Sequence, residues 1–541
     1  MNRYALTLLL LVLGLAGCDA LKKTEQPAVA EETAEAFIER VNQENHALWL
    51  EGAAAHWVYT TYLNEDTAKL SSLADQRYGD WHSKVVTESL RYRDQDLDTA
   101  SRRALDLLAL ATRMPAPTRP GAQKELADIA VEMERLYGQG QYCPPDGTEC
   151  FYGSDLEEMI ATTRDYDEAL EYWQAWREVG VPMRASYERF VELSNEGARE
   201  LGYADLGQMW RSNYDMPEAD FKAETDRLWR QVEPLYEALQ CHVRAQLVEQ
   251  YGADKVPEDG PLPAHLLGNM WAQNWSAIYD LVEPYPGAVA ADVTKTLVEE
   301  GYSPEAMVRS AEGFYTSLGF EPLPDSFWEH SMLSRPEDRD VVCHASAHDM
   351  NGGEDIRIKM CINQTYSDLR VIYHELGHNM YARAYGQQPT LFKSGANDGF
   401  HEAVGDAILL AMTPQYLASV GLIDTAANTP EAMINDQMQR ALEKVVQLPW
   451  TKLVDEWRWG VFSGDITPRD YNESWWSLRE RYQGVAAPVE RTEADFDPGA
   501  KFHIPGNVPY SRYFLSSVLQ FQFYQAMCEA SGHQGPLHEC S

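Results

Sequence analysis

Along most of the chain, apolar residues recur at the three-to-four spacing that turns one face of a helix toward a core. Glu32–Leu50, Leu90–Thr112, Asp155–Arg177, Ala219–Tyr251 and Asn435–Val446 all suit helices, being rich in Ala, Leu, Glu, Gln and Arg and bounded by Pro or Gly. Strand-like alternation is scarce. Ile356–Cys361 is the best strand candidate, with Asp340–Cys343 as its expected partner. With no internal repeat or low-complexity spacer, the pattern predicts a mostly α protein, one large globule with at most a few short strands.

At 541 residues, 44% of them hydrophobic and 11% aromatic, the chain has the composition of a folded protein with a large core. Acids outnumber bases 84 to 45, a net charge of -39 that disfavours nucleic acid and anionic lipid as partners and otherwise reads as a solvated surface. The N-terminus reads as an export signal: Arg3, an apolar run from Ala5 to Leu15, then Leu15-Ala16-Gly17-Cys18. The run is too short to span a bilayer. Its last four residues resemble the bacterial lipobox, which makes residues 1–17 a lipoprotein signal peptide and Cys18 the lipidated first residue; an ordinary signal peptide with an incidental Cys is the alternative. Asp19 beside it resembles an inner-membrane retention signal of some enteric bacteria. Residues 18–32 then read as a polar tether, and 33–541 as the catalytic domain. The expected location is periplasmic, with the lipid as the sole membrane contact. The remaining cysteines fit an oxidising compartment. Cys143 with Cys150, Cys343 with Cys361 and Cys528 with Cys540 would close three small loops, leaving Cys241 as a buried free thiol.

His374-Glu375-Leu376-Gly377-His378 is an HExxH motif, whose histidines sit one helical turn apart and can share a metal. Leu369, Ile372, Leu376 and Met380 form a stripe for the core, while His374 and His378 project from roughly the opposite face. Glu402, 24 residues beyond His378, lies far enough along for a second helix to return a carboxylate. Two histidines and one carboxylate leave a tetrahedral position open for water, the arrangement of catalytic zinc. Asp406, one turn after Glu402, is placed to accept a hydrogen bond from a ligand histidine, with a solvated helix acid as the alternative. Glu375, between the ligands, is placed to act as the base. His401 is ambiguous and stays outside the ligand set.

Together with Cys343-His344-Ala345-Ser346-Ala347, Arg357-Ile358-Lys359, Gly395-Ala396-Asn397, Trp457-Arg458-Trp459-Gly460-Val461-Phe462, Lys501-Phe502-His503-Ile504-Pro505, Gln520-Phe521-Gln522-Phe523 and Gly535-Pro536-Leu537-His538, the sequence resembles the angiotensin-converting enzyme family of peptidyl-dipeptidases. The resemblance runs from about Thr33 to Ser541. It implies a two-lobed helical ellipsoid with a deep central cleft. It also implies His503 and Tyr513 as the groups at the oxyanion, with His503 assisting proton transfer. His344, Ala345 and Ala347 would hold the peptide main chain. Gln273, Lys501 and Tyr510 match the trio that grips a terminal carboxylate, and a cation with neutral donors suits that task. The single-residue carboxypeptidase branch carries Arg at the place of Gln273, so dipeptide release is favoured. Family chloride sites map onto Arg177, Trp475 and Arg479, and onto Tyr214 and Arg512, with pairing to local acids as the competitor. His348, Tyr373 and Asn274 depart from the usual Trp, His and Thr and leave side-chain preference open. A metal pair of His344 and His348 is a further alternative.

The implied function is a zinc peptidase that removes C-terminal dipeptides from short peptides. A single-residue carboxypeptidase, an oligopeptidase and a catalytically silent peptide-binding lipoprotein are the other readings. Oligomeric state leaves no mark on the sequence.

Overall fold

The computed structural model describes residues 32–145, 147, 149–288, 292–424 and 429–540. The export segment, Cys18 and most of the tether lie outside the described residues. The described chain is helical almost throughout, with three two-stranded pairings, each a few residues long.

Two large apolar cores organise it. The first gathers fully buried Trp173, Trp275, Trp450, Trp457 and Trp475 from helices dispersed along the chain. Such large aromatic areas removed from water dominate the stability of a core. The second contains Leu369, Ile372, Leu376 and Met380, the predicted stripe, with Phe314, Phe327 and Ile408. The Ser511–Ala530 helix joins the two: Phe514 belongs to the first core, Tyr524 and Cys528 to the second. A third, smaller core lies under an N-terminal pair of helices, Ala34–Thr61 and Glu65–Ser89. Asn64 starts the second of these by accepting from the amides of Asp66 and Thr67, both at 2.9 Å. No helix among the described residues is long and apolar enough to cross a membrane.

Several sequence expectations need correction. Ile356–Lys359 is a strand, but its partner is Ser346–Asp349, not Asp340–Cys343. Gly352 and Gly353, both at φ +95°, turn the chain back between the two strands. Asp340 and Val342 instead bond the end of the first helix, with Leu63 N donating to Asp340 O and Val342 N to Thr60 O, each at 2.8 Å. Leu90–Thr112 is interrupted, its main helix starting at Thr99 with Asp98 as cap. Asp155–Arg177 is likewise two helices, parted where Asp165 caps Tyr166–Arg177. Capping side chains compete with the helix interior for backbone amides, and here they won. Asn435–Val446 is continuous but passes through a π turn at Ala441–Val445. Cys241 is a free thiol as expected, but exposed rather than buried. The buried stripe of its helix runs through Leu239, Val243 and Leu247, which turns residue 241 outward. The disulfides Cys143–Cys150, Cys343–Cys361 and Cys528–Cys540 all form.

Candidate active site

Two helices of the second core build the metal-binding half. Tyr366–Tyr385 carries the HExxH motif and begins where Thr365 Oγ1 accepts from Asp368 N at 3.1 Å. Asp398–Ala411 carries Glu402 and is capped by Asn397. The helices cross at two glycines. A Cβ on Gly405 would lie 2.7 Å from His374 Nδ1, and one on Gly377 would lie 2.8 Å from the Cα of Gly405. Only bare backbone at both positions lets the second helix bring its carboxylate in.

His374, His378 and Glu402 then converge, with one ligand atom from each lying within 4.8 Å of the others. His374 Nδ1 sits 3.2 Å from Asp406 Oδ1, leaving Nε2 facing Glu402 Oε2 at 3.7 Å. That fixes which ring nitrogen is free to ligate. Burial disfavours the Asp406 carboxylate, but its bond to His374 and the charge of Lys444 outweigh this and hold it at about 2. Lys444 Nζ reaches Asp406 Oδ2 at 3.2 Å. His378 Nδ1 faces His401 Nδ1 at 3.3 Å, and His401 Nε2 meets Tyr385 Oη at 3.1 Å. Burial, then the neighbouring His374 and His401, lower His378 to about 3, so the ring is neutral and ready to ligate. His401, left outside the ligand set, backs His378, and Lys444 is a positioning residue that sequence reasoning missed. Adjacency to Glu402 was a signal for His401; Lys444, 38 residues from Asp406, offered none. Two imidazoles and a carboxylate at this spacing, one imidazole already backed by an acid, fit zinc with an open position.

Glu375 is 9% exposed, and its pKa is raised by burial and by Glu402, with His374 and the Ala347 amide pulling the other way. A base poised above the ordinary carboxylate range suits proton transfer near neutrality. Ala347 belongs to the edge strand Ser346–Asp349, and Lys359 Nζ holds the approach to that strand through the carbonyls of Val342 at 2.9 Å and His344 at 2.6 Å. His344 Nδ1 bonds Ala345 O and His348 Nε2 bonds Ser346 Oγ, and because Ser346–Asp349 is a strand the two rings do not sit one helical turn apart as a metal pair would need.

The first core supplies a second wall of polar side chains, linked to the metal side through Tyr513, which feels the charge of Glu402. Lys501 Nζ donates to Gln273 Oε1 at 3.1 Å, and Tyr510 Oη to the same oxygen at 3.3 Å. Burial lowers Lys501 to about 8, offset in part by Glu157. The ammonium lies 4.1 Å from the centre of the Trp271 ring. The rings of Tyr510 and Tyr513 pack at a 60° tilt along this wall with centres 4.8 Å apart, and His503 Nε2 meets Tyr513 Oη at 3.4 Å. Burial, then Lys501 and two arginines, hold His503 well below its usual range. A buried pair that sequence reasoning also missed sets this wall. Asp455 Oδ2 accepts from the amides of Tyr510 and Ser511, while Arg458 bonds Asp455 Oδ1 and His503 O.

The residues of the two expected anion sites also meet. Arg177 and Arg479 are fully buried, and neither carries an ion pair among the described residues. Arg177 Nη2 donates to Met270 O and Arg479 Nη2 to Trp271 O, and Arg177 Nε has no partner among the described residues. Trp475 packs beside Trp450, over whose ring Arg479 lies. At the second location Arg512 Nε stands 3.2 Å from Asp398 Oδ2, and Tyr214 also interacts with Asp398. There the cation already has an internal carboxylate.

An HExxH helix joined by a glutamate from the next helix defines a metal-site protein of the HExxH class. The model of the angiotensin-converting enzyme family, peptidase family M2, matches residues 28–541, and the chain belongs to that family. It is 43% identical over 520 residues to angiotensin-converting enzyme of Bos taurus, covering 94% of this chain and 39% of that one. To angiotensin-converting enzyme of Theromyzon tessulatum it is 41% identical over 425 residues, 77% of this chain and 68% of that one. To the angiotensin-converting enzyme-like protein Ace3 of Mus musculus it is 38% identical, covering 94% and 69%. The chain spans 39% of the length of the Bos taurus relative.

Proposed function

We propose that this chain is a zinc-dependent peptidyl-dipeptidase that releases C-terminal dipeptides from short peptides. The observation that carries this is a metal triad together with a buried cation held by neutral donors, the two linked through Tyr513. Tyr513 feels the charge of Glu402 on one side and packs on Tyr510 on the other, so the wall runs from the metal ligands to the carboxylate grip.

His374, His378 and Glu402 would hold the zinc, which when bound would polarise the scissile carbonyl and acidify the attacking water. Glu375 takes the proton from that water and carries it toward the departing amine. Tyr513 and neutral His503 donate to the oxygen that gains charge, in a site shielded from bulk water. His344, Ala345 and Ala347 align the peptide main chain along the edge strand. Lys501, Tyr510 and Gln273 fix the terminal carboxylate and so count residues from the chain end.

Chloride at Arg177, Trp475 and Arg479 would compensate two buried guanidiniums, whereas at Arg512 and Tyr214 it must compete with Asp398. The disulfides suit an extracytoplasmic, periplasmic location, with Cys18 as the lipid anchor. Mass spectrometry of an N-blocked tripeptide tests the activity. Release of a dipeptide, leaving the blocked first residue, is the expected result. A single released amino acid points to a carboxypeptidase, and no cleavage by zinc-loaded protein points to a silent binder.

A further inference from the structure

The cavity beside the metal ligands has a volume of about 1030 Å³, and its wall includes Arg335, His344, Arg370, His374, Glu375 and Lys444. Each acid on this wall is already engaged. Asp406 holds His374 and Lys444, Glu443 lies 3.3 Å from Lys444, and Asp368 accepts from Asn363 N at 2.7 Å. Glu375 is the base. Two cations on the same wall are not engaged. Half-buried Arg370 and exposed Arg335 have neither an ion pair nor a hydrogen bond to any described residue. In a chain with 84 acids and 45 bases, guanidiniums without a carboxylate beside the site call for a ligand of opposite charge.

Position along the cleft follows from the helix and from one backbone bond. Arg370 precedes His374 by one turn, so both project from the same face of the motif helix. Its charge is felt by Lys444. The segment carrying Lys444 is tied to the grip, because Trp275 N, two residues past Gln273, donates to Leu442 O at 2.9 Å. Arg370 therefore shares a wall with the metal ligands and with the segment tied to the grip, and on the peptidyl-dipeptidase reading the leaving dipeptide would rest along that wall.

We infer that Arg370, with Arg335 at the rim, selects peptides that carry an aspartate or glutamate side chain in the released dipeptide. This rests on the peptidyl-dipeptidase reading for its register but not for its charge preference. The guanidinium fork matches a carboxylate bidentately, and partial burial protects the pair from screening.

The test uses zinc-loaded protein and N-blocked tripeptides that differ only by Glu against Gln at either released position. The expected kcat/KM ratio, Glu over Gln, is about tenfold at low salt at one of the two positions, as for a charged hydrogen bond of roughly 1.4 kcal/mol. It falls toward one in Arg370→Gln, is partly kept in Arg370→Lys, and reverses in favour of Lys over Gln in Arg370→Glu. A ratio near one in the wild type, or one unchanged in Arg370→Gln, overturns the inference. Calorimetric binding of the same peptides to Glu375→Gln separates the two claims. Selective binding of the acidic peptide without turnover in the wild type defeats the peptidase reading alone, whereas turnover without selectivity defeats this inference alone. Peptides that neither bind selectively nor turn over defeat both.

Discussion

On the metal side His374 lies between two carboxylates, at 3.2 Å from Asp406 and 3.7 Å from Glu402, whereas on the second wall Lys501 donates to a neutral amide. One wall is a negatively biased socket that suits a cation. The other holds a cation in a dry place and awaits an anion. Burying a charge without a counter-charge destabilises it, which is why Lys501 is depressed to about 8 while Asp406 is held near 2. A peptide end carrying its own carboxylate would satisfy the second wall while its amide bond lies against the first.

The contrast can be broken from either side. Glu375→Gln removes the base while leaving the ligands, and kcat should fall by about a thousandfold or more with metal content unchanged. Residual activity within tenfold of wild type would show that another group takes the proton. Lys501→Met removes the cation of the second wall, and kcat/KM should drop by roughly a hundredfold, as for loss of a buried charged hydrogen bond, chiefly through KM. The pH profile sharpens this. Lys501 is charged below its lowered pKa, so the grip is intact below about pH 8 and weakens as pH rises through it. Wild-type kcat/KM should therefore decline above about pH 8, and that limb should vanish in Lys501→Met. Asp406→Asn leaves the ligands in place but frees the ring of His374, and zinc affinity by chelator competition should weaken by about 10- to 100-fold. An unchanged affinity would make Asp406 an ordinary helix acid.

The two walls were unequally legible. HExxH is contiguous and obeys the helical period, so His374, His378, Glu375 and the buried stripe Leu369–Met380 could be placed from spacing, and Glu402 and Asp406 from a second helix one loop away. Gln273 comes from a segment more than 200 residues before Lys501 and Tyr510, with no shared period. Only resemblance to a family could group them. The buried Asp455–Arg458 pair that orders His503 and Tyr510 escaped notice for the same reason, as did Lys444 behind Asp406. Misreadings of the fold were local: caps at Asp98 and Asp165 outweighed propensity, and Asp340–Cys343 bonded a helix end instead of forming a strand. Long periodic stretches report which face is buried. They do not report where a capping side chain interrupts the ladder or which loop an isolated strand will meet.

Metal content decides the rest most directly. Protein reconstituted with zinc and freed of excess ion, then assayed by plasma mass spectrometry, should hold one zinc per chain at the site of His374, His378 and Glu402, with loss in both His378→Ala and Glu402→Ala. Stoichiometric zinc surviving in both variants, or none in the wild type, would contradict the convergence of these three side chains on one ion.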